Sequence, residues 1–441
     1  MNSIQDLEVD FQKGLESLSA NNFELANNLF KNVLTHQASF NVLNAYSISC
    51  FKLQQFEEAL KAINLAISLE PENIHGYNNK IEYLKALSRH EEAISCANEL
   101  ALAHPDLKEL HLLKGELYHS LGKVYPGDKE LKKYLHFVYP GKKEIDQLDA
   151  RDTIYHIKHL QSKNSPYVEY PKHVAFESYA QCNAKCSFCV YPEMERIGTM
   201  MPMELIDKII QDLQEIPGHL PFQLSPFGVN EPFLDTRIFT ILQKITDKLP
   251  NASITLTSNA TPLNQINIDR LSEFTLEYLW LSVVDHRKDV YEEKMKLNYD
   301  LMLRNLELIH QSKANNKLKT RIVVSKLLDN TLYDQEFTNF IKERFPLFEI
   351  CLWPYSNWLQ RTGNQVTEQV ANIPCEHWFE FRISSTGEVQ HCCMDGHVDY
   401  PWGNVHTHSV LEIYNQDKYK QLRTSTFSRK QVSPCNTCSL R

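Results

Sequence analysis

No stretch of this chain approaches the ~20 consecutive apolar residues that a membrane helix requires. It also lacks a long run of Lys and Arg, and 46 basic against 55 acidic residues leave a net charge of −9. An acidic chain without a basic stripe is a poor partner for nucleic acid. The opening residues, MNSIQDLEVDFQKG, lack the basic and then apolar segments of an export signal. A cytoplasmic location, without membrane or nucleic-acid partners, is therefore expected. A disulfide framework is not, because the 11 cysteines are odd in number and no export signal accompanies them. The chain has 441 residues, 42% hydrophobic and 23% charged. That is ordinary globular composition, and at roughly 150 residues per domain it suggests two to four domains.

The N-terminal region, 1–122, has helical periodicity and almost no strand signal. The segments NNFELANNLFKNVL, QQFEEALKAINLAISLEP and SRHEEAISCANELALAHP align. Their small residues Ala26, Ala59 and Ala93 recur at a nearly constant spacing of about 34 residues. Pro71 and Pro105 keep the same spacing, and each ends a helix. This pattern resembles the tetratricopeptide repeat, in which small residues let two helices approach and stacked hairpins form a groove for a peptide or protein. About three repeats and a further helix, LKELHLLKGELYHSLGK, fit the pattern. Ser47 and Ile81 stand where that family often has Gly. The segment 123–167 reads as a helical connector with two turns, at Tyr125-Pro126-Gly127 and Tyr139-Pro140-Gly141.

From His173 onward, short β-rich runs alternate with amphipathic helices. HVAFESYA, FQLSPFG, SITLTSNA, EYLWLSVVD, TRIVVSKLL and FEICLWPYS are the strand candidates. Six such units predict a parallel sheet wrapped by helices, a partial barrel with its chemistry on loops after the strand C-termini. The loop after the first strand reads Cys182-Asn-Ala-Lys-Cys186-Ser-Phe-Cys189. Chance places this CxxxCxxC spacing only ~0.007 times in such a chain. Three thiolates on one loop can hold three corners of a cubane iron–sulfur cluster and leave one iron open. A zinc site would need a fourth ligand close by, and neither the loop nor its flanks offers an obvious one.

The triplet after strand one of a βα partial barrel closely resembles radical S-adenosylmethionine enzymes, over roughly 168–441. The resemblance implies a [4Fe–4S] cluster on Cys182, Cys186 and Cys189 whose open iron chelates S-adenosylmethionine. Reductive cleavage would give methionine and a 5′-deoxyadenosyl radical that abstracts hydrogen from a substrate C–H bond. It further places Phe188 near the adenine. Gly228-Val229-Asn230-Glu231-Pro232 stands where the family has a Gly-Gly-Glu-Pro-like turn, so Glu231 and the Asn230 backbone would meet the methionine ammonium; Asn230 departs from the family's Gly. Asn259, in Thr257-Ser258-Asn259, resembles the ribose-contacting segment. Ser282, in a Ser-x-x-Asp with Asp285, is a candidate for the ribose or the methionine carboxylate. Either Arg287 or Lys296 could be the Arg-like residue that often follows.

The last domain carries Cys375, Cys392-Cys393 and Cys435-Asn-Thr-Cys438. A β-hairpin is expected over Ile383–Cys392. The pattern resembles the twitch form of the SPASM domain, which implies one auxiliary [4Fe–4S] cluster held by Cys375, Cys435, Cys438 and one of the adjacent pair. The Gly-x-Val-x-x-Cys pattern favours Cys392, and because consecutive strand residues face opposite ways, both can hardly serve the same cluster. Cys393 is then a candidate hydrogen donor to a substrate radical, or a structural thiol, or the true fourth ligand. Asp395 is a candidate base. A four-Cys zinc ribbon normally pairs two Cys-x-x-Cys knuckles and fits the spacing worse.

The expected architecture is α/β: a partial (β/α)6 barrel over 168–356, preceded by the all-α repeats (1–122) and connector (123–167), and followed by a small α+β auxiliary iron–sulfur domain over 357–441. The expected function is a radical enzyme that oxidises, crosslinks or epimerises a peptide or protein captured by the repeats. It would draw electrons from a donor such as flavodoxin or ferredoxin. The alternatives are a radical dehydrogenase or epimerase of a sugar or aminocyclitol, with the repeats docking a partner, and a non-catalytic metal-stabilised scaffold.

Overall fold

The structure is a computed structural model that describes residues 4–362 and 370–439. The chain forms two compact units, Met1–Ile157 and Lys158–Arg441.

The first unit contains α1 (Ile4–Ser19), α2 (Phe23–Leu34), α3 (Phe40–Lys52), α4 (Phe56–Leu69), α5 (Ile74–Ala86), α6 (His90–Ala103), α7 (Glu109–Ser120) and α8 (Val124–Val138). They pair as four hairpins, each joined by a short turn. Every turn has one left-handed residue in the same place: Asn21, Gln54, Ser88 and Gly122. The structural period is thus that of the sequence repeat. Ala26, Ala59 and Ala93 are fully buried, which brings paired helices close. The fourth hairpin uses glycine for the same purpose. A Cβ added at Gly115 would collide with the Leu131 side chain and lie 3.3 Å from the Gly127 carbonyl oxygen.

Tyr125-Pro126-Gly127, expected as a turn, is instead the first turn of α8. Proline is tolerated there because that N–H has no helical partner anyway. Tyr139-Pro140-Gly141 does turn, with Gly141 at φ +79°. The helix α9 (Ala150–Lys163) follows.

The second unit opens with six parallel strands: β1 (His173–Phe176), β2 (Phe222–Ser225), β3 (Ala252–Ser258), β4 (Tyr278–Val284), β5 (Arg321–Leu327) and β6 (Glu349–Trp353). Between them run α10 (Met203–Leu213), α11 (Ile238–Lys248), α12 (Gln265–Leu271), α13 (Lys288–Met295), α14 (Tyr299–Ala314) and α15 (Leu332–Arg344). All six expected strands are present, the first five each followed by a helix. Leu279, Leu281 and Val283 of β4 are buried in the main core, as is the apolar stripe Leu205, Ile206, Ile209, Ile210 and Leu213 of α10. The alternate residues of the strands carry polar groups: Ser225, Thr255 and Thr257, Ser282.

The C-terminal region adds β7 (Glu380–Ile383), β8 (Glu388–Gln390), β9 (Gly403–Asn404), α16 (Val410–Tyr414) and α17 (Asp417–Ser425). The sheet order is β6-β5-β4-β3-β2-β1-β7-β8-β9. Strand β7 pairs parallel with β1, His173 opposite Glu380, and β8 returns antiparallel. The expected hairpin is therefore an extension of the barrel sheet. Sequence alone does not indicate this, because pairing partners so distant along the chain leave no local trace.

Candidate functional site

The first cysteine loop leaves β1 and is pinned along its length. Lys185 N–H donates to the Met295 carbonyl (3.2 Å) and Ser187 N–H to that of Lys294 (3.0 Å), both at the end of α13. Backbone N–H groups point at two of the sulfurs, Ala184 at Cys182 Sγ and Tyr191 at Cys189 Sγ, each at 3.4 Å. The third, Cys186, lies 3.4 Å from the Met295 thioether. Burial pushes the Cys182 thiol up to about 12 and that of Cys189 to about 11, and raises Cys186 further. Three crowded thiols that resist ionisation suit a cationic metal centre that displaces their protons. Among the described residues, no group of three or more His, Cys, Asp or Glu side chains is arranged to hold a single metal ion. Three thiols on one loop are a donor set that a cubane can use, one sulfur to an iron.

Glu177 follows β1 and is buried. Its carboxylate accepts from Arg196 Nε (2.6 Å), Val229 N–H (3.1 Å) and Ser385 N–H (3.3 Å). It thereby ties the cysteine loop, the turn after β2 and the C-terminal hairpin to one point.

Glu231, at the end of the turn after β2, is also buried. Its Oε1 accepts from Ser258 Oγ (3.0 Å) and Phe233 N–H (3.2 Å), and its Oε2 from Asn259 N–H (2.7 Å). Burial outweighs these donors and raises its carboxyl to about 7. The side chain of Asn230 fixes the turn, accepting from Gly228 N–H (2.8 Å) and donating to the Tyr179 carbonyl (2.9 Å). Asn259 Nδ2 donates to Asn183 Oδ1 (2.8 Å), and Asn183 Nδ2 to Thr261 Oγ1 (2.9 Å). The ends of β2 and β3 are thus bonded to each other and to the residue beside Cys182.

A cavity of about 310 Å³ opens at the C-terminal ends of β3 to β6, lined by Phe188, Thr257, Trp280, Ser282, Lys326 and Trp353 among others. Phe188 and Ser282 meet there, while Glu231 and Asn259 do not line it. Strand β4 carries a register shift between Ser282 and Val284. Val284 sits at φ +67°, a costly conformation for a β-branched residue. Asp285 then leaves the strand to be clamped by Arg287, Nε to Oδ1 at 2.9 Å and Nη2 to Oδ2 at 2.7 Å. Arg287 lies 3.7 Å over the Tyr333 ring, and Lys296 is the left-handed residue ending α13. Tyr355 packs edge-on to Phe188, Trp358 donates to the Phe188 carbonyl at 2.9 Å, and Arg361 pairs with Asp399.

Trp280 and Lys326 are among the cavity residues that escape the sequence reading. Trp280 Nε1 donates to Ser325 Oγ at 2.8 Å. Lys326, fully buried, bonds Asp334 (2.7 Å) and Asp329 (3.0 Å). A lysine inside the apolar run TRIVVSKLL is the available signal.

Cys375 precedes β7, Cys392 and Cys393 follow β8, and Cys435 and Cys438 lie near the C-terminal end. Cys392 is within electrostatic reach of Cys375 and Cys435, which both sense Cys438. Cys393 instead hydrogen-bonds Cys392 and faces His377 and Arg382, which together hold its thiol well below the usual range against burial. Glu380 orients both partners, His377 Nδ1 at 2.7 Å and Arg382 Nε at 2.9 Å. Asp395 is buried, and both its oxygens accept backbone N–H groups: Asp399 at 2.8 Å, His391 at 3.1 Å and Tyr400 at 3.2 Å.

Residues 176–330 match the family described as the radical SAM superfamily, and residues 375–439 match SPASM, an iron–sulfur cluster-binding domain. No curated protein matches the chain. Among solved structures, the chain is similar to BtrN in complex with AdoMet and 2-DOIA, at 15% identity and a TM-score of 0.45, over 61% of this chain and 92% of that one. It is similar to Streptococcus suis SuiB bound to precursor peptide SuiA, at 13% identity and a TM-score of 0.49, over 75% and 85%. It is also similar to anSMEcpe with bound AdoMet and Cp18Cys peptide, at 15% identity and a TM-score of 0.45, over 60% and 87%. The two matched domains imply iron–sulfur and S-adenosylmethionine binding. No helix of the described residues is long and apolar enough to cross a membrane.

Proposed function

We propose that this radical SAM enzyme, with its SPASM-type C-terminal domain, modifies a peptide or protein captured by the N-terminal helical hairpins. When bound, its cofactors supply one-electron cleavage of a sulfonium and hydrogen abstraction from an unactivated C–H bond. The observation that carries the substrate class is the hairpin array. Four hairpins repeat the same left-handed turn at a regular interval, as stacked tetratricopeptide-like repeats do, and such arrays present extended surfaces to peptides.

The chain's own residues divide the remaining work. Cys182, Cys186 and Cys189 hold the first cluster, and the aimed N–H groups of Ala184 and Tyr191 stabilise thiolate charge. Phe188 and Ser282 face the cavity, where they suit the adenine plane and a ribose or carboxylate oxygen. The Asn230–Glu231 turn is assigned to the methionine ammonium, with the Glu231 and Asn259 side chains keeping that turn and the cysteine loop in register. Cys375, Cys392, Cys435 and Cys438 hold the auxiliary [4Fe–4S] cluster. Cys393, turned toward His377 and Arg382, is favoured as a thiolate, which has no S–H to give a substrate radical, and is assigned a structural role beside the cluster. The three backbone bonds of Asp395 favour loop-holding over proton transfer. A flavodoxin or ferredoxin supplies the electron.

A second reading is a small molecule, such as a sugar or aminocyclitol, as substrate. The two separate by experiment. A chain lacking the helical hairpins is expected to cleave S-adenosylmethionine slowly while failing to modify a peptide substrate. Equal peptide turnover without the hairpins would reject capture, and turnover of a free sugar or aminocyclitol by that shortened chain would select the second reading.

A further inference from the structure

The auxiliary thiols stand at one end of an aromatic run that no role above uses. His391 Nε2 lies 3.1 Å from Cys435 Sγ. Its ring stacks on Trp402, with centroids 5.2 Å apart and planes at 24°. Trp402 also stacks on Tyr419 at 4.6 Å and 6°, and Tyr419 packs on Tyr414 at 5.5 Å. The buried Arg423 guanidinium lies 3.6 Å over Tyr414 and 5.1 Å over Tyr419. The indole is therefore stacked on two rings, one bonded to the sulfur and one backed by Tyr414 and Arg423. Trp402 is only partly buried, and Tyr400, two residues before it, is 42% exposed. The run begins at a sulfur of the auxiliary site and ends at the protein surface.

Packing alone is a poor account of the indole. Trp402 Nε1 is buried and has no hydrogen-bond partner among the described residues. That is a cost which phenylalanine or leucine would avoid. The His391 contact also has a defined sense. A metal-bound thiolate can only accept, so the imidazole donates its Nε2 proton to the sulfur. An N–H···S bond followed by a face-to-face ring contact leaves little empty space between the sulfur and Trp402. Electronic coupling decays steeply across empty space, so such a path carries an electron better than unfilled packing.

We propose that His391 and Trp402 form an electron port, through which the auxiliary centre exchanges single electrons with a one-electron carrier protein at the Tyr400–Trp402 surface. One electron leaves the reduced cluster and enters the oxidised flavin, haem or iron–sulfur centre of the carrier; no bond or proton moves. The inference rests on the reading of the C-terminal thiols as iron–sulfur ligands.

The test uses the full-length chain carrying C182A, C186A and C189A, so that only the auxiliary centre remains. The protein is reduced with dithionite, desalted, and mixed in a stopped-flow cell with oxidised cytochrome c as the carrier. W402L and H391L are each expected to slow electron transfer by roughly tenfold or more at unchanged iron content, while W402F, which keeps a stacked ring, stays near the parent rate. At the surface, Y400K should slow transfer to the cationic cytochrome several-fold and Y400E should speed it, without touching the core. Parent rates in either Leu variant at full iron content overturn the port. If both Leu variants lose their iron, indifference of the rate to both Tyr400 changes overturns it. Absence of iron from the parent triple variant would instead defeat the iron–sulfur reading, a distinct failure.

Discussion

Asn259 donates its amide to Asn183 across 2.8 Å, joining the end of β3 to the loop that carries the first three cysteines. Asn183 passes the connection back to Thr261 at 2.9 Å. The Asn259 backbone N–H meanwhile holds Glu231. A loop that must present three sulfurs to one cluster is thus fixed by amide groups rather than by apolar packing alone.

Replacing Asn259 with leucine should break that connection and leave buried polar partners unpaired. A loss of about 1–3 kcal/mol in unfolding free energy is expected. Iron incorporation at the first site should fall with it. Urea melts and iron analysis of the reconstituted variant check this; unchanged values in both would show that the amide bridge is dispensable.

The Glu231 carboxyl gives a pH signature. Its folded value of about 7 lies above the ordinary 4.5 because of burial. The folded state therefore binds this proton more tightly than the unfolded state. The group's contribution is fully present below pH 4.5 and is lost as pH rises toward 7, by roughly 3 kcal/mol in the limit of full burial. E231Q should flatten that slope. Equal slopes for parent and variant between pH 5 and 7 would refute the assignment.

Anaerobic reconstitution should yield about eight irons per chain, two cubanes, and about four in C435A/C438A. Four irons in the parent, with those two thiols intact, would remove the auxiliary centre.

With dithionite and S-adenosylmethionine the protein should release 5′-deoxyadenosine, and C186A should release none. Chromatography of quenched reactions decides. Product from the variant at the parent rate would mean that this thiol triplet is not where cleavage occurs.

Much of the barrel and its cysteine loops can be read from the chain because the signals are local. Alternating apolar runs, helical stripes and Cys spacing each lie within a short window. The fourth hairpin is hidden, although Gly127 continues the spacing of Ala26, Ala59 and Ala93. Tyr125-Pro126-Gly127 has the composition of a turn, and only the close approach of Gly127 to the His119 ring and the Gly115 carbonyl shows why glycine sits in a helix there. Glu231 and Asn259 are expected beside the cofactor. Their hydrogen bonds run to each other and to Asn183, a relation between three loops that no window of sequence contains. Trp280 and Lys326 read as ordinary strand residues, and only the cavity shows them as a wall.

The pairing of β7 with β1 has a consequence for dissection of the molecule. The two matched domains are separate as sequence families yet share one hydrogen-bonded ladder. Cutting the chain before Cys375 would strip β1 of its neighbour and present its bare N–H and C=O groups to solvent. The strand that feeds the cysteine triplet would then be free to recruit foreign chains. A shortened barrel should precipitate or associate rather than behave as a minimal enzyme, and the C-terminal module serves as a cover for that flank as well as a holder of thiols.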